Sequence, residues 1–495
     1  MEQLKKKITV ATKWSFITEI VAKLITPITN MVLARILMPE DFGAIATITM
    51  IISFAEIFTD AGFQKYIIQH DFYDESELRK SIDVAFWSNF CLSILTVILI
   101  FCFRKIIAVW VGAPELEYGI SVASISIVLI SFSSIQMAVY RRKLDFKTLF
   151  YVRIIVSFIP LFVTVPLAFF LKNYWALIIG TMLSNIVQAV ILTIKSSWHP
   201  KVYYSFKRLS EMLFYSFWTL LETISFWLTS YIGTFIVGKY LDSYYLGLYK
   251  TSMSTVNSYM NILTSSITTV LFSALSRYQD DNIQFQYVFL KFQRMFSILI
   301  MPMGVGLFVY SELITRIVLG GNWIIVSDFI GSWGFVSAIS IAITYFASEV
   351  FRSKGRPDIS LFNQLIHLVF LIPTIIFGAE SSFETLCITR ALIRCELIVT
   401  SLLFLQFLFG IPMTKVLKNI LPQTISAILM GFAGWLMLQI SDGMIWQFAS
   451  VGVCIILYFV ILMQFKNIKK EIFALEFVDK AMKRIKVRIK HDKKL

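Results

Sequence analysis

Charged residues are scarce in this chain. Asp, Glu, Lys and Arg together make up 15% of its 495 residues, whereas hydrophobic residues make up 57%. A water-soluble fold of this length could not keep so much apolar surface away from solvent. The composition therefore excludes a soluble protein and predicts a polytopic membrane protein.

Cysteine and histidine are also rare, with five and four residues respectively. The cysteines fall in apolar segments and lack C-x-x-C spacing, which predicts free buried thiols and neither disulfides nor a zinc site. The sequence also lacks a P-loop, a dinucleotide-binding fingerprint and a zinc-protease helix. We therefore expect no cofactor, and an ATP-driven pump would need a separate subunit.

Acidic residues are fewer than basic ones, 31 against 45, which gives a formal net charge of +14. On a soluble protein this excess would suggest a nucleic-acid partner. Half of it lies in the last thirty residues, an amphipathic tail in which eleven Lys and Arg accompany four acids. Most other basic residues lie in short loops, so the excess indicates membrane topology and we expect no nucleic-acid partner.

Long hydrophobic segments are the main feature of the sequence. Fourteen segments are long enough to cross a hydrocarbon core of about 30 Å, and the short loops between them leave no room for an extramembrane catalytic domain. Even-numbered loops carry two to four Lys or Arg each and odd-numbered loops carry two or fewer, which predicts that both termini are cytoplasmic. The segments lie near residues 12–35, 43–64, 81–103, 118–140, 150–171, 174–194, 212–237, 245–273, 288–310, 328–350, 360–378, 385–409, 417–440 and 446–465.

The first twelve segments divide into two similar sets of six. At an offset of 204 residues Gly43 aligns with Gly247, and at an offset of 211 residues VYRRK (139–143) aligns with VFRSK (350–354). Six crossings are an even number, so both sets have the same orientation and their pseudo-twofold axis runs along the membrane normal. We predict an all-α polytopic membrane protein with about fourteen transmembrane helices. Its parts are two pseudo-symmetric six-helix lobes at 1–205 and 206–410, two C-terminal helices within 411–465 and a basic cytoplasmic tail at 466–495.

The first segment carries polar residues on one face, at steps of three and four that match a helix. They include Glu19, Lys23 and Asn30. Pro27 supplies no backbone donor, so the helix can bend beside Lys23. The pattern predicts a water-facing cation next to a hinge.

Other segments carry ionisable or amide side chains, which inside a bilayer usually face a cavity or one another. Transport is not their only explanation. Glu19 and Lys23 can neutralise each other as an i,i+4 pair, Lys250 can reach the outer interface, and Asp60 can anchor the end of its helix. The candidates are Glu56 and Asp60 in the second segment, Glu222 in the seventh, Lys250, Asn257 and Asn261 in the eighth, and Arg390 and Arg394, near Glu396, in the twelfth.

Four motifs resemble those of the Wzx-type lipopolysaccharide and polysaccharide flippases: ARILMPEDFG (34–43), FTDAGF (58–63), YRRKLDF (140–146) and GGNW (320–323). These flippases share a superfamily with the multidrug/toxin extrusion (MATE) transporters and the lipid II flippase. The resemblance implies a MATE-like pair of lobes around a hydrophilic cavity in the bacterial inner membrane. It also implies that a polyprenyl-diphosphate-linked oligosaccharide is moved by alternating access for surface polysaccharide assembly.

The resemblance gives the polar residues expected roles. Related flippases carry cavity cations on helices 1, 2 and 8. Lys23 and Lys250 occupy the first and third of these elements and would meet the diphosphate, whereas helix 2 offers acids here. The amides Asn30, Asn257 and Asn261 would meet sugar hydroxyls. The remaining candidates are Glu19, Glu56, Asp60 and Glu222 for coupling to H+ or Na+ or for charge pairing, and Arg390 and Arg394 as a secondary cationic cluster.

Two other functions remain open on the residues alone. A cation-coupled multidrug antiporter of the same superfamily would favour an acidic, aromatic cavity. A membrane glycosyltransferase or polymerase would generally need a large outward loop with catalytic residues, and the loops here are short. For the flippase, the expected partners are the lipid-linked oligosaccharide, membrane lipids, and the glycosyltransferases and polymerase of the same pathway.

Overall fold

The computed structural model describes residues 25–469 apart from 61, 71, 144, 197, 466 and 467. The described residues are 88% helical and include no strand, which confirms the all-α class. The helices are α1 (25–36), α2 (Pro39–Asp60), α3 (Phe63–Gln69), α4 (Glu75–Trp110), α5 (Glu117–Arg142), α6 (Phe146–Ile159), α7 (Val165–Leu171), α8 (Trp175–Lys195), α9 (Phe206–Tyr240), α10 (Ser243–Arg277), α11 (Asn282–Val309), α12 (Ser311–Val318), α13 (Ser327–Ser340), α14 (Phe346–Ser353), α15 (Pro357–Ser381), α16 (Phe383–Leu392), α17 (Arg394–Phe409), α18 (Met413–Leu438) and α19 (Met444–Leu462).

Eleven helical spans in the described part of the chain are long and apolar enough to cross a membrane. Two of them contain a π-helical turn, at Pro160–Thr164 between α6 and α7 and at Ile341–Tyr345 between α13 and α14. Outside these eleven, α9 and α10 have 35 residues each, more than the roughly 20 that one crossing needs. A polytopic membrane protein is thus confirmed, while the number fourteen stays a prediction.

The described chain forms two compact units. The first contains the residues up to Ser266 together with Ile314–Ile330 and Arg356–Ile393, and the second contains Ile267–Leu313, Gly331–Gly355 and the residues from Arg394 onward. Within the second unit, side-chain amides join α18 to α11: Asn419 Nδ2, which is half-buried, donates to the buried Gln293 Oε1 at 3.0 Å. The predicted lobes are defined by a repeat in the sequence, whereas the compact units are defined by packing. The division into two lobes therefore stays a prediction.

In the first unit, α2 and α10 cross at two glycines that the sequence aligns with each other. A Cβ atom at Gly43 would lie 1.9 Å from the carbonyl oxygen of Ser243, and one at Gly247 would lie 1.7 Å from that of Pro39. Since no side chain fits, only glycine at both positions allows this close approach. The crossing fixes the start of α10, the helix that carries Lys250.

Two of the motifs that carry the family resemblance also meet in the first unit. Trp323, which is fully buried, donates from Nε1 to the carbonyl oxygen of Ala34 at 2.8 Å. Its ring lies edge-on to Phe42, with centroids 5.3 Å apart. The GGNW motif therefore anchors the end of α1 and the start of α2.

The basic motif at the end of α5 closes a neighbouring helix. Arg142 Nη1 donates to the carbonyl oxygens of Ile67 and His70 at 2.7 and 2.8 Å, and its guanidinium lies 4.8 Å from the centre of the Phe72 ring. Carbonyl groups at a helix C-terminus lack helical partners, so an arginine there stabilises the helix end. Arg142 thereby holds α3 in place.

The aligned motif after α14 makes the corresponding contact in the second unit. Lys354 Nζ donates to the carbonyl oxygen of Gln279 and, at 2.9 Å, to Asn282 Oδ1. It lies 4.5 Å from the centre of the Phe285 ring. In each predicted set of six crossings, a basic residue near the end of the fourth crossing thus binds the segment that follows the second crossing.

The five cysteines are free, but Cys91, Cys102 and Cys395 are exposed on helix surfaces. The expectation that all five thiols are buried is therefore wrong for these three. In a membrane protein an apolar segment can face lipid instead of the interior, so an apolar neighbourhood in the sequence does not establish burial.

Candidate functional site

Lys250 lies on α10 and contacts α9. Its Nζ lies 3.2 Å from Thr234 Oγ1 and 3.4 Å from the carbonyl oxygen of Ser230. The Tyr231 ring centre is 4.6 Å away, which is a cation–π contact. All three partners are neutral, so within the described part of the chain these contacts solvate the charge of the lysine without compensating it. An anion is the ligand that would compensate it.

A second cation lies near the first. Arg390, on α16, is 8% exposed, and its Nε donates to the Tyr249 hydroxyl at 3.0 Å. Its positive charge repels the charge of Lys250. Like charges repel more strongly in a low-dielectric environment than in water, so a ligand with two negative charges would stabilise the pair. We call Lys250, Arg390, Tyr231, Thr234 and Tyr249 the basic cluster.

A cavity of about 270 Å³ lies among α2, α3, α4, α5 and α9. Glu56 and Asp60 contribute carboxylates from successive turns of α2, and Lys65 contributes an amine from α3. Gln64 Nε2 donates to Asp60 Oδ1 at 3.2 Å. The lining residues, which together we call the acidic cavity, are Ser53, Glu56, Ile57, Thr59, Asp60, Gly62, Gln64, Lys65, Asn89, Ile130, Ser131, Ser134, Leu220 and Thr223.

Amide and hydroxyl groups form the wall of the acidic cavity on α4 and α5. Asn89 is 1% exposed and donates from Nδ2 to Ser134 Oγ at 2.8 Å. Ser131 Oγ lies 2.8 Å from Ser93 Oγ. The other polar atom of the Asn89 side chain, Oδ1, is buried without a hydrogen-bond partner in the described part of the chain. An unpartnered buried acceptor costs about 1–3 kcal/mol, so this wall offers an oxygen that a ligand can use.

The structure thus brings Glu56 and Asp60 together in one cavity and Lys250 and Arg390 together in one cluster. Arg394 belongs to the second unit, where Nη1 donates to Ser337 Oγ at 2.7 Å and the guanidinium lies 3.9 Å from the centre of the Trp333 ring.

The other predicted site residues do not join either group within the described chain. Asn30 and Asn261 are exposed and Asn257 is half-buried. Pro27 lies inside α1, which continues through it as a helix. Glu19 and Lys23 lie outside the described residues, as does the Glu222 side chain, whose backbone is part of α9. Their roles therefore stay predictions.

Sequence reasoning missed the neutral partners of the charged groups. Tyr231 and Tyr249 are two of 20 tyrosines, and nothing in their spacing separates them from packing residues. Asn89 lies in the third segment, which contributes no predicted site residue. A usable signal existed for the hydroxyl wall, because α5 buries six serines: Ser121, Ser124, Ser126, Ser131, Ser133 and Ser134.

Comparison with known sequences gives consistent matches. A family model described as polysaccharide biosynthesis protein matches residues 32–328. An uncharacterised membrane protein in the cps region of Klebsiella pneumoniae is 23% identical over 76% of this chain and 77% of its own length. The succinoglycan biosynthesis transport protein ExoT of Rhizobium meliloti is 22% identical over 71% of this chain and 70% of its own length. The lipopolysaccharide biosynthesis protein WzxC of Escherichia coli is 23% identical over 76% of each chain.

Two solved structures show the same fold. The lipid II flippase MurJ in an inward closed conformation superposes with a TM-score of 0.73, covering 93% of this chain and 99% of its own at 16% identity. An inward-facing MATE-family multidrug resistance transporter of the MOP superfamily gives a TM-score of 0.60. The superposition covers 80% of this chain and 96% of the transporter at 11% identity. The MATE-like architecture expected from the sequence is confirmed.

Proposed function

Because this chain belongs to the polysaccharide biosynthesis protein family, we propose that it is a flippase for lipid-linked oligosaccharides. It moves polyprenyl-diphosphate-linked repeat units from the cytoplasmic to the outer leaflet of the bacterial inner membrane, by alternating access, for surface polysaccharide assembly. The names of its relatives support this, since ExoT is a succinoglycan transport protein and WzxC a lipopolysaccharide biosynthesis protein. It is a transporter and not an enzyme.

The observation that carries the proposal is the basic cluster. Among the described residues, the partners of Lys250 are neutral, and Arg390 adds a second positive charge close to it. Charge-assisted hydrogen bonds to phosphate are among the strong ones in proteins, and two cations match the charge of a diphosphate. The cluster therefore receives the diphosphate of the cargo, and Lys23, which lies outside the described residues, would add a third cation.

The rest of the cargo needs less from the protein. The isoprenoid tail stays in the hydrocarbon phase while the polar head crosses. Asn257 and Asn261 follow Lys250 at helical spacing along α10, so their amides can replace water around sugar hydroxyls as the head passes. With an inside-negative potential, each negative charge moved outward gains about 2.3 kcal/mol per 100 mV, which favours export.

The basic cluster is tested by Lys250→Ala, with surface glycan display as the measurement. Loss of a hydrogen bond to a charged group costs about 1.5–3 kcal/mol, so we expect display to fall about 10- to 100-fold. Lys250→Arg keeps the charge and should retain part of the display. The matched control is Lys239→Ala, an exposed lysine at the end of α9. Normal display by a Lys250→Ala protein that reaches the membrane in normal amounts would remove the lysine from the mechanism.

A second candidate function is favoured by the acidic cavity. Two carboxylates in a cavity also suit a cation-coupled multidrug antiporter, and the fold is shared with a MATE transporter. Such a protein should lower the sensitivity of cells to cationic dyes when it is overproduced. Dye resistance without any glycan phenotype in a deletion strain would favour the antiporter over the flippase.

A further inference from the structure

The acidic cavity contains more oxygen ligands than its contacts use. Glu56 and Asp60 lie on successive turns of one helix, and Asn89 faces them from another. Carboxylate and amide oxygens are the ligands that hard cations prefer. With about 270 Å³, the cavity is larger than the roughly 30 Å³ that one water molecule occupies in the liquid, so it has room for an ion with some of its water.

Asn89 indicates a ligand independently of the acids. Its Nδ2 is engaged by Ser134, which leaves Oδ1 as the free end of a side chain that is 1% exposed. The protein leaves this acceptor without a donor although Ser131 and Ser134 line the same cavity. A bound cation would satisfy the oxygen and remove the cost of burying it.

The charge balance selects the valence of the ion. Among the lining residues Glu56 and Asp60 bring two negative charges and Lys65 brings one positive charge. Lys65 and Arg141 attract Asp60, and Asp60 repels Glu56. The lining residues by themselves carry a net charge of −1, which favours a monovalent over a divalent cation. Neutrality is the favourable state for a site in a membrane.

We propose that the acidic cavity is a Na+ site in which Glu56, Asp60 and Asn89 are the ligands. The proposal that Na+ binds rests on the residues of the cavity alone. Its role in driving glycan export rests on the proposed function. Because the proposed Na+ ligands lie on α2 and α4 and the two cations of the basic cluster lie on α10 and α16, the two can be tested separately.

The test is thermal unfolding of the purified full-length protein in detergent, in NaCl or in choline chloride at equal ionic strength. A ligand that binds the folded state raises its stability with ligand concentration, so Na+ should raise Tm in a saturable way. Glu56→Gln and Asn89→Leu should each weaken the apparent Na+ affinity about tenfold or more. The matched control is Asn185→Leu. Asn185 lies on α8, outside the cavity lining, and its Nδ2 is also buried without a hydrogen-bond partner.

Several results would overturn the site. They are an equal Tm in NaCl and choline chloride, an unchanged Na+ response in both cavity variants, or an equal loss of response in Asn185→Leu. A Tm that depends on pH and not on Na+ would identify the cavity as a proton site and would also reject the proposal. Glu56→Gln preserves the side-chain volume, so it decides the matter if Asn89→Leu fails to fold. Saturable Na+ binding by a protein whose Lys250→Ala variant displays glycan normally would keep the site and reject the flippase mechanism.

Discussion

The basic cluster and the acidic cavity lie in the same compact unit, yet they treat charge in opposite ways. In the acidic cavity the carboxylates share their space with a cation, Lys65, and Asp60 accepts a hydrogen bond from Gln64. In the basic cluster Lys250 has a hydroxyl, a carbonyl oxygen and an aromatic ring as partners. The cavity thus compensates part of its own charge, whereas the described partners of the lysine in the cluster are neutral.

This difference indicates what each region binds. A cluster of two neighbouring cations favours a multiply charged anion that can enter and leave with the transport cycle. A cavity with a net charge of −1 and a buried amide oxygen favours a single small cation. Cargo and coupling ion would then occupy separate places in the protein, and a change in one region should leave binding in the other intact.

The largest effect should come from reversing the charge of the basic cluster with Lys250→Glu. The new carboxylate can pair with Arg390, so both cations are lost to the cargo while the membrane tolerates the pair. We expect glycan display to fall further than in Lys250→Ala, by more than about 100-fold if each cation is worth 1.5–3 kcal/mol. Display is measured per amount of protein in the membrane. If display equals that of Lys250→Ala, Arg390 does not act on the cargo.

A smaller effect is expected from Tyr249→Phe. The change removes the hydroxyl that accepts from Arg390 Nε at 3.0 Å, and a hydrogen bond to a charged group is worth about 1.5–3 kcal/mol. Both Tm and glycan display should fall, while the Na+ response of the acidic cavity should remain. Tyr244→Phe, on the same helix, is the control. A lowered Na+ response in Tyr249→Phe would show that the two regions are not independent.

The smallest effect is expected from Tyr231→Leu. A cation–π contact is worth about 0.5–1 kcal/mol at exposed sites and about 2 when desolvated, so display should fall about 2- to 30-fold. Tyr231→Phe keeps the aromatic ring and should stay close to the unmodified protein. If both variants lose display equally, the hydroxyl and not the ring is what matters, and the contact with Lys250 is not the reason.

The sequence was sufficient for the all-α membrane fold class but not for the role of every motif. Alternating apolar segments and basic loops gave the helices, because membrane crossing sets a minimum apolar length. The basic residues at 141–143 are among the loop residues that the sequence indicates as topology signals. In the structure Arg142 caps α3 and Lys354 binds the chain beyond α10, contacts that join residues more than 70 positions apart and that local spacing does not reveal.

The candidate site, too, could be predicted from the sequence only in part. Helical spacing placed Glu56 with Asp60 and marked Lys250, because residues three or four apart share a face. It could not identify Asn89 or the tyrosines, since one amide or aromatic residue on a helix looks like packing until its neighbours are known. Nor could it associate Arg390 with Lys250, which lies 140 positions earlier in the chain.

Composition and periodicity by themselves determined that this protein crosses a membrane repeatedly and that charged side chains line some of its helices, because the cost of burying charge in hydrocarbon depends on residue type and helical phase alone. Only the tertiary structure decided which charges meet. That outcome depends on how closely α2 and α10 approach at Gly43 and Gly247 and on which neutral groups neighbouring helices supply, and neither is a local property of the chain.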